Sequence, residues 1–232
     1  MTDSTLNTQL VPVRKDAETI RREVLTNTLK MFVERGYITT SYENNLKVIE
    51  KISDNDIYEF TLDNPMQPDT SKTTDPNYPD NFVGNKLGVK IIHQEIKGIS
   101  KTPIIKEFID KRIKDGNKNK FFHKLFIVDK IADKAKATLT NIPNLEVFEE
   151  KFLMINLVDH IDSPKYQILT DEECKEVLND YIVARKELPK TLTSDPVVAY
   201  FNLKRGQIMR VIRCSEQSGK SIVYRIVANG SQ

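Results

Sequence analysis

Two acidic positions and a lysine in the first half of the chain have the spacing of a metal-dependent nuclease site. Pro79-Asp80 followed by Glu95-Ile96-Lys97 fits the loose pattern P-D…(D/E)-x-K. In such sites two carboxylates hold Mg²⁺ and a lysine positions the attacking water. Glu95 and Lys97 would point to one face of a strand. Because the pattern is permissive and Pro79-Asp80 lies in a proline-rich stretch, a PD-(D/E)xK-type nuclease is the less favoured alternative.

The cysteine and histidine residues show no metal-ligand pattern. Cys174 and Cys214 are too few for a disulfide framework, and His93, His123 and His160 have no ligand-like spacing to them. The N-terminus lacks a signal-peptide layout, and charges break the apolar runs before the ~18–20 residues that a membrane span needs. We predict an intracellular protein with no catalytic residue, cofactor, metal or membrane partner of its own.

Charge is distributed unevenly, although the net charge of the 232 residues is only +2. Residues 86–136 contain fourteen Lys or Arg against six acids, which makes this segment +8. Residues 137–180 contain ten acids against three lysines, which makes them −7. Such asymmetry is typical of a chain with one region facing a polyanion. Lysine-rich, solvated helices are the alternative explanation.

Periodicity and capping residues predict the elements that carry these charges. In the first half they indicate a helix from Asp16 to Gly36, a second helix, and strands at 56–62, 87–96 and 121–129. Between the strands we predict a proline-rich loop at 63–81, a helix at 102–116 begun by Thr102 and Pro103, and a short helix at 132–140. This alternation of strands and helices predicts an α/β fold.

A second unit is predicted from about residue 145 onward. Thr170 and Glu173 form a capping box for a helix whose apolar stripe is Cys174, Val177, Leu178, Tyr181 and Ile182, so Cys174 is assigned to the core.

The C-terminal sequence predicts a short helix and a basic β-hairpin. Asp195 is the expected N-cap, Pro196 the first helical residue, and Asn202 the left-handed residue that ends the helix. Lys204, Arg205 and Gly206 then turn into QIMRVIR, and SIVYRIV returns after the turn residues of SEQSGKS. Six basic residues and one acid lie between Lys204 and Arg225, which favours a docking surface.

These C-terminal residues also carry a resemblance to a known family. DPVVAYFNLKRGQIMRVIR with SEQSGKSIVYRIV resembles the C-terminal domain of the fifth subunit of eukaryotic RNA polymerases, a family that also has an archaeal branch. INLVDH, SPKYQIL and the capped helix extend the resemblance upstream. RREVLTNTLKMFVERGYI, KLGVKI and LFIVD are similar to the first helix and strands of the eukaryotic jaw domain. The jaw, which the archaeal protein lacks, implies a nuclear enzyme or the polymerase of a large DNA virus.

The resemblance implies a division of the chain and a function. It implies a disordered tail at 1–13, an α/β jaw domain at 14–147 with a proline-rich insertion at 63–84, and a small α+β assembly domain at 148–232 that ends in a β-hairpin. The function implied is a non-catalytic core subunit of DNA-dependent RNA polymerase that anchors on the largest subunit and forms part of the downstream-DNA jaw. A free-standing DNA-binding or polymerase-associated regulator is the alternative.

The resemblance also implies partners, contact residues and a compartment. The expected partners are the largest and other polymerase subunits and downstream duplex DNA, bound without regard to sequence. The compartment is the nucleus, or the virion and host cytoplasm if a virus encodes the chain. The implied subunit-contact residues are Asp195, Pro196, Tyr200, Phe201, Lys204, Arg205, Gly206, Gln207, Arg210, Arg213, Tyr224 and Arg225.

Some positions depart from the family pattern, and at one of these departures basic residues are predicted to lie near DNA. Cys214 replaces a proline and Tyr166 a histidine, which puts any family contact by those two side chains in question. After LFIVD, KIADKAK replaces a small Thr-Pro-Ser-Ala element near downstream DNA. Position and charge make Lys130, Lys134 and Lys136 the DNA-proximal candidates.

Overall fold

The protein is mixed α/β and contains two four-stranded sheets. The computed structural model describes residues 15–51, 57–66, 84–98, 105, 108, 123–142, 144–156, 158–159, 163–215 and 219–229. The helices are α1 (Ala17–Glu34), α2 (Tyr42–Lys51), α3 (Asp133–Thr140), α4 (Glu150–Leu153), α5 (Asp171–Asp180) and α6 (Pro196–Tyr200). The strands are β1 (Tyr58–Met66), β2 (Gly84–Ile96), β3 (His123–Ile131), β4 (Leu145–Glu149), β5 (Lys165–Ile168), β6 (Lys190–Leu192), β7 (Ile208–Ser215) and β8 (Gly219–Ala228).

The first sheet has the order β1-β2-β3-β4. β1 pairs antiparallel with β2, whereas the β2–β3 and β3–β4 pairs are parallel. Parallel strands are usually covered on both faces. β3 follows this rule, because Leu125 and Ile127 pack towards α1 and α2 while Phe126 and Val128 pack towards α3.

The second sheet has the order β5-β7-β8-β6. β7 pairs antiparallel with β5 and with β8, and β6 pairs parallel with β8. One face packs on α5 through a small cluster that includes Cys174, Val177 and Ile208. The other face contributes Met209, Val211 and Val227 to the same core that contains Phe32 and Phe60 of the first half.

One hydrophobic core therefore joins the two sheets. The predicted boundary between residues 147 and 148 falls inside β4, which pairs with β3 of the first sheet. The division into two domains stays a prediction. Among the described residues, no helix combines the length and apolar character needed to span a membrane.

Most predicted elements of the first half are confirmed. Asp16 caps α1 by accepting from the N–H of Thr19, and Gly36 follows the helix with φ of 78°. The predicted proline-rich insertion was too long at both ends, because β1 continues to Met66 and β2 begins at Gly84. Residues 1–14, 67–83 and most of the helix predicted at 102–116 lie outside the described residues.

The helix predicted after Thr170 is confirmed, but its C-terminal end is not. Thr170 and Glu173 make the reciprocal capping box, and Cys174 is buried. The prediction that Tyr181 and Ile182 continue the apolar stripe was wrong. α5 ends at Asp180, Ile182 takes a left-handed φ of 52°, and its side chain is 91% exposed.

Candidate functional site

The predicted contact surface begins with α6 and the turn that follows it. Asp195 Oδ1 accepts from the N–H of Val197 at 2.8 Å, and Pro196 begins the helix. Asn202 ends the helix with φ of 50°, and the N–H of Leu203 returns to the carbonyl of Val198. These contacts confirm the predicted cap, first residue and stop of the helix. Each of them joins residues within a few positions of one another.

The basic turn after α6 projects exposed side chains. Gly206 has φ of 88°, a conformation that favours glycine. The side-chain oxygen of Gln207 accepts from the N–H of Lys204 at 2.6 Å, which closes the turn. Lys204, Arg205 and Gln207 are exposed, and Arg205 lines a groove of about 400 Å³ together with Arg185.

The remaining basic residues of β7 and β8 divide between the two faces of the second sheet. Arg210 stacks over the ring of Tyr224 at 5.4 Å and donates to the side-chain oxygen of Gln167 at 3.1 Å. Arg213 and Arg225 lie on the opposite face, because alternate strand residues point to opposite faces. The alternation predicted for β8, with Tyr224 on one face and Arg225 on the other, agrees with this register.

Tyr200 and Phe201 were predicted as contact residues but are buried. Their exposed fractions are 3% and 7%, and both belong to the core that joins the two sheets. Burial also raises the pKa of Tyr200 well above its ordinary value. The sequence indicates only the cap and the stop of this helix and could not reveal that both aromatic rings are buried.

A buried ionic network beneath α6 was missed by sequence reasoning. Arg35 at the end of α1 makes a bidentate ion pair with Glu146 of β4, at 2.9 and 2.8 Å. The same carboxylate contacts His123 Nε2 at 2.7 Å and accepts from the Asn202 amide at 3.2 Å. The side chains of Arg35 and Glu146 are only 2% and 11% exposed. No spacing signal could reveal a pair separated by 111 residues.

This network fixes the position of the basic turn. Arg35 also donates to the carbonyls of Tyr200 and Ala199, at 2.6 and 3.1 Å, and so satisfies the C-terminal end of α6. Burial alone would raise the pKa of Glu146. The charge of Arg35 and the hydrogen bond from His123 outweigh it and hold that pKa well below its ordinary value.

The three DNA-proximal candidates lie at the end of one strand of the first sheet and on the helix that follows it. Lys130 is near the end of β3, and Lys134 and Lys136 lie on α3; all three are exposed. Acids accompany them, since Asp129 and Asp133 are also exposed.

Only part of the nuclease candidate lies among the described residues. Glu95 and Lys97 form an exposed ion pair at 3.3 Å, and Asp80 lies outside the described residues. Within the part of the chain that the structure describes, no three His, Cys, Asp or Glu residues cluster closely enough to hold a metal ion.

Comparison with known proteins assigns the C-terminal residues to a class. Residues 155–227, which include α5, α6 and most of the second sheet, match the family described as "RNA polymerase Rpb5, C-terminal domain". The class of protein is thus a subunit of a multisubunit RNA polymerase.

Relatives extend the similarity beyond those residues. A Dictyostelium discoideum protein named "DNA-directed RNA polymerases I, II, and III subunit rpabc1" is 29% identical over 85% of this chain and 92% of its own length. "DNA-directed RNA polymerase subunit 5" of Acanthamoeba polyphaga mimivirus is 31% identical over 62% of this chain and 66% of its own length. "DNA-directed RNA polymerase subunit 5-like protein 1" of Arabidopsis thaliana is 29% identical over 89% of this chain and 92% of its own length. The chain belongs to the family of the fifth subunit of eukaryotic-type DNA-directed RNA polymerases, an accessory and not a catalytic subunit.

Proposed function

We propose that the chain is a core subunit of a DNA-dependent RNA polymerase, which anchors on the largest subunit by its C-terminal sheet and forms part of the downstream-DNA jaw by its first sheet. The observation that carries this proposal is the similarity to polymerase subunits over 85% of the chain. Phosphodiester chemistry would belong to other chains of the complex.

The anchoring contacts are assigned to the exposed members of the predicted set. Arg205 is exposed and lines the groove together with Arg185. Lys204 and Gln207, on either side of Arg205 in this turn, are also exposed. A guanidinium presents a planar fork of donors that matches carboxylates and carbonyls on a partner subunit. Tyr200 and Phe201 support this surface from below, since they are buried.

Affinity purification of the tagged chain from its native source tests the proposal. Mass spectrometry should recover the two largest polymerase subunits in stoichiometric amounts at moderately high salt. The nuclear or viral identity of those subunits would assign the compartment, which we propose to be the nucleus, or the virion and host cytoplasm for a virus-encoded chain. Recovery of the chain alone would overturn the proposal and favour a free-standing DNA-binding regulator.

Contact with downstream duplex is proposed for the exposed lysines of β3 and α3. Replacing Lys130, Lys134 and Lys136 together by alanine should reduce the salt dependence of duplex binding by the assembled polymerase. Each lost phosphate contact removes about one unit from the slope of log K against log salt. The measurement is a titration of duplex binding at several salt concentrations.

The matched control replaces three exposed lysines outside the basic segment, Lys15, Lys47 and Lys51. Both triple variants should assemble normally, and only the first should change the slope. An unchanged slope in the first variant would mean that its lysines are merely solvated.

A further inference from the structure

A small polar cavity lies on the face of the second sheet that carries Arg213 and Arg225. Its volume is about 40 Å³, and Tyr166, Asp195, Arg213 and Arg225 line it together with apolar side chains. In the strand register Tyr166 is opposite Val211, Arg225 is opposite Met209, and Arg213 follows Val211 by two residues. Tyr166, Arg213 and Arg225 therefore stand on one face and reach the same cavity.

The two guanidinium groups in this cavity have no polar partner within the described part of the chain. Among the residues that the structure describes, neither Arg213 nor Arg225 makes a hydrogen bond or ion pair. Arg213 is exposed, whereas Arg225 Nε is buried without an acceptor. Buried donors without an acceptor are rare, because burial removes their hydrogen bonds to water and no acceptor replaces them. Arg210, on the opposite face, donates hydrogen bonds to Gln167 and Tyr224. The two faces therefore differ: the arginine on that face has hydrogen-bond partners, and the two arginines in the cavity have none among the described residues.

The carboxylate of Asp195 offsets one of these two charges but makes no hydrogen bond or ion pair with either arginine among the described residues. Its Oδ1 accepts from the N–H of Val197 at 2.8 Å, and its Oδ2 accepts from the hydroxyl of Thr191 at 3.2 Å. Both oxygens thus stabilise the start of α6. Two arginines and one aspartate leave the cavity with a surplus of one positive charge.

Tyr166 lines the same cavity as these three charged residues. Burial and the charge of Asp195 raise the pKa of the Tyr166 hydroxyl, while Arg213 and Arg225 act in the opposite direction. Tyr166 therefore remains a neutral hydroxyl that can donate a hydrogen bond into the cavity.

We propose that Arg213, Arg225 and the hydroxyl of Tyr166 form a receptor for one side-chain carboxylate, from an aspartate or glutamate of a neighbouring polymerase subunit. This inference rests on the proposed function. One carboxylate balances the single surplus charge and accepts from a guanidinium fork. The volume also fits: one water needs ~10–15 Å³, so a cavity of about 40 Å³ holds three or four such atoms, enough for the three heavy atoms of a carboxylate but not for the five of a phosphate.

The test uses the full-length tagged chain with Arg213→Gln and Arg225→Gln together. We expect recovery of the largest polymerase subunits to fall at least tenfold at moderately high salt. The matched control is Lys220→Gln, a charge loss on an exposed residue of β8 that does not line the cavity. The double variant should keep its thermal midpoint, because neither guanidinium makes a hydrogen bond or ion pair within the described chain. Recovery equal to that of the unaltered chain would overturn the inference.

The outcomes separate this inference from the function on which it rests. If the unaltered chain also fails to recover polymerase, both proposals are wrong. If the unaltered chain succeeds and the double variant equals it, only the receptor is wrong. If nuclease treatment removes the difference in recovery between the unaltered chain and the double variant, the ligand is a nucleic-acid phosphate and the carboxylate assignment is wrong.

A second measurement does not depend on the fold of a variant. Phenylglyoxal, which modifies accessible arginines, should react with Arg213 in the free chain and spare it in the assembled polymerase. Peptide mass spectrometry reads the modification at that residue. Equal modification in both states would overturn the receptor.

Discussion

Replacing Glu146 by glutamine is expected to lower the free energy of unfolding by ~3–5 kcal/mol, because it leaves the charge of Arg35 buried without its partner. Arg35 and Glu146 are both largely buried and joined by two short hydrogen bonds. The same change loosens the contact with Asn202 and so the end of α6. Urea unfolding followed by circular dichroism measures the effect.

The matched control is Glu95→Gln, which breaks the exposed ion pair with Lys97. Exposed pairs contribute ~0–1 kcal/mol, so this variant should unfold close to the unaltered chain. Equal destabilisation by both variants would show that the buried network does not stabilise the fold as its geometry indicates.

The pH dependence gives a second readout of the same carboxylate. The pKa of Glu146 is depressed in the folded state below its ordinary value of 4.5. The unfolded chain therefore takes up this proton first, and the stabilisation is fully present above pH 4.5 and lost as the pH falls further. The difference in stability between the unaltered chain and Glu146→Gln should narrow in that acidic range. A constant difference down to strong acid would contradict the depressed pKa.

Replacing Phe201 by alanine is expected to cost ~3–5 kcal/mol, the usual range for removing a buried aromatic ring. Phe201 is 7% exposed, and its ring centroid lies 5.1 Å from that of Tyr200 and 6.1 Å from that of Tyr166. Because one core joins the two sheets, the loss should lower hydrogen-exchange protection in β3 as well as in β7. Native-state hydrogen exchange measures both strands in one experiment.

The control for Phe201 is Ile155→Ala, an apolar residue that is 67% exposed. Changes at exposed sites usually stay within ~0.5 kcal/mol, so protection should not change. If Phe201→Ala reduced protection in the second sheet alone, the two sheets would be independent domains. The predicted division near residue 148 would then gain support.

Contacts between near neighbours were predictable from the sequence alone. The caps at Asp16, Thr170 and Asp195 and the left-handed stop at Asn202 each join residues within about four positions. Local backbone geometry decides such contacts, whatever the rest of the chain does. The family resemblance was equally accessible, because its motifs are contiguous.

Only the tertiary structure decided which of the singled-out side chains remain available to a partner. Tyr200 and Phe201 turn into the core, Arg210 is satisfied by its neighbours, and Arg213 and Arg225 are left with open donors among the described residues. The pairing of Arg35 with Glu146 spans 111 residues, and it exists because β4 lies beside the end of α1 in the folded chain. Burial and long-range pairing depend on how elements pack, so residue type and spacing along one strand or helix could not reveal them.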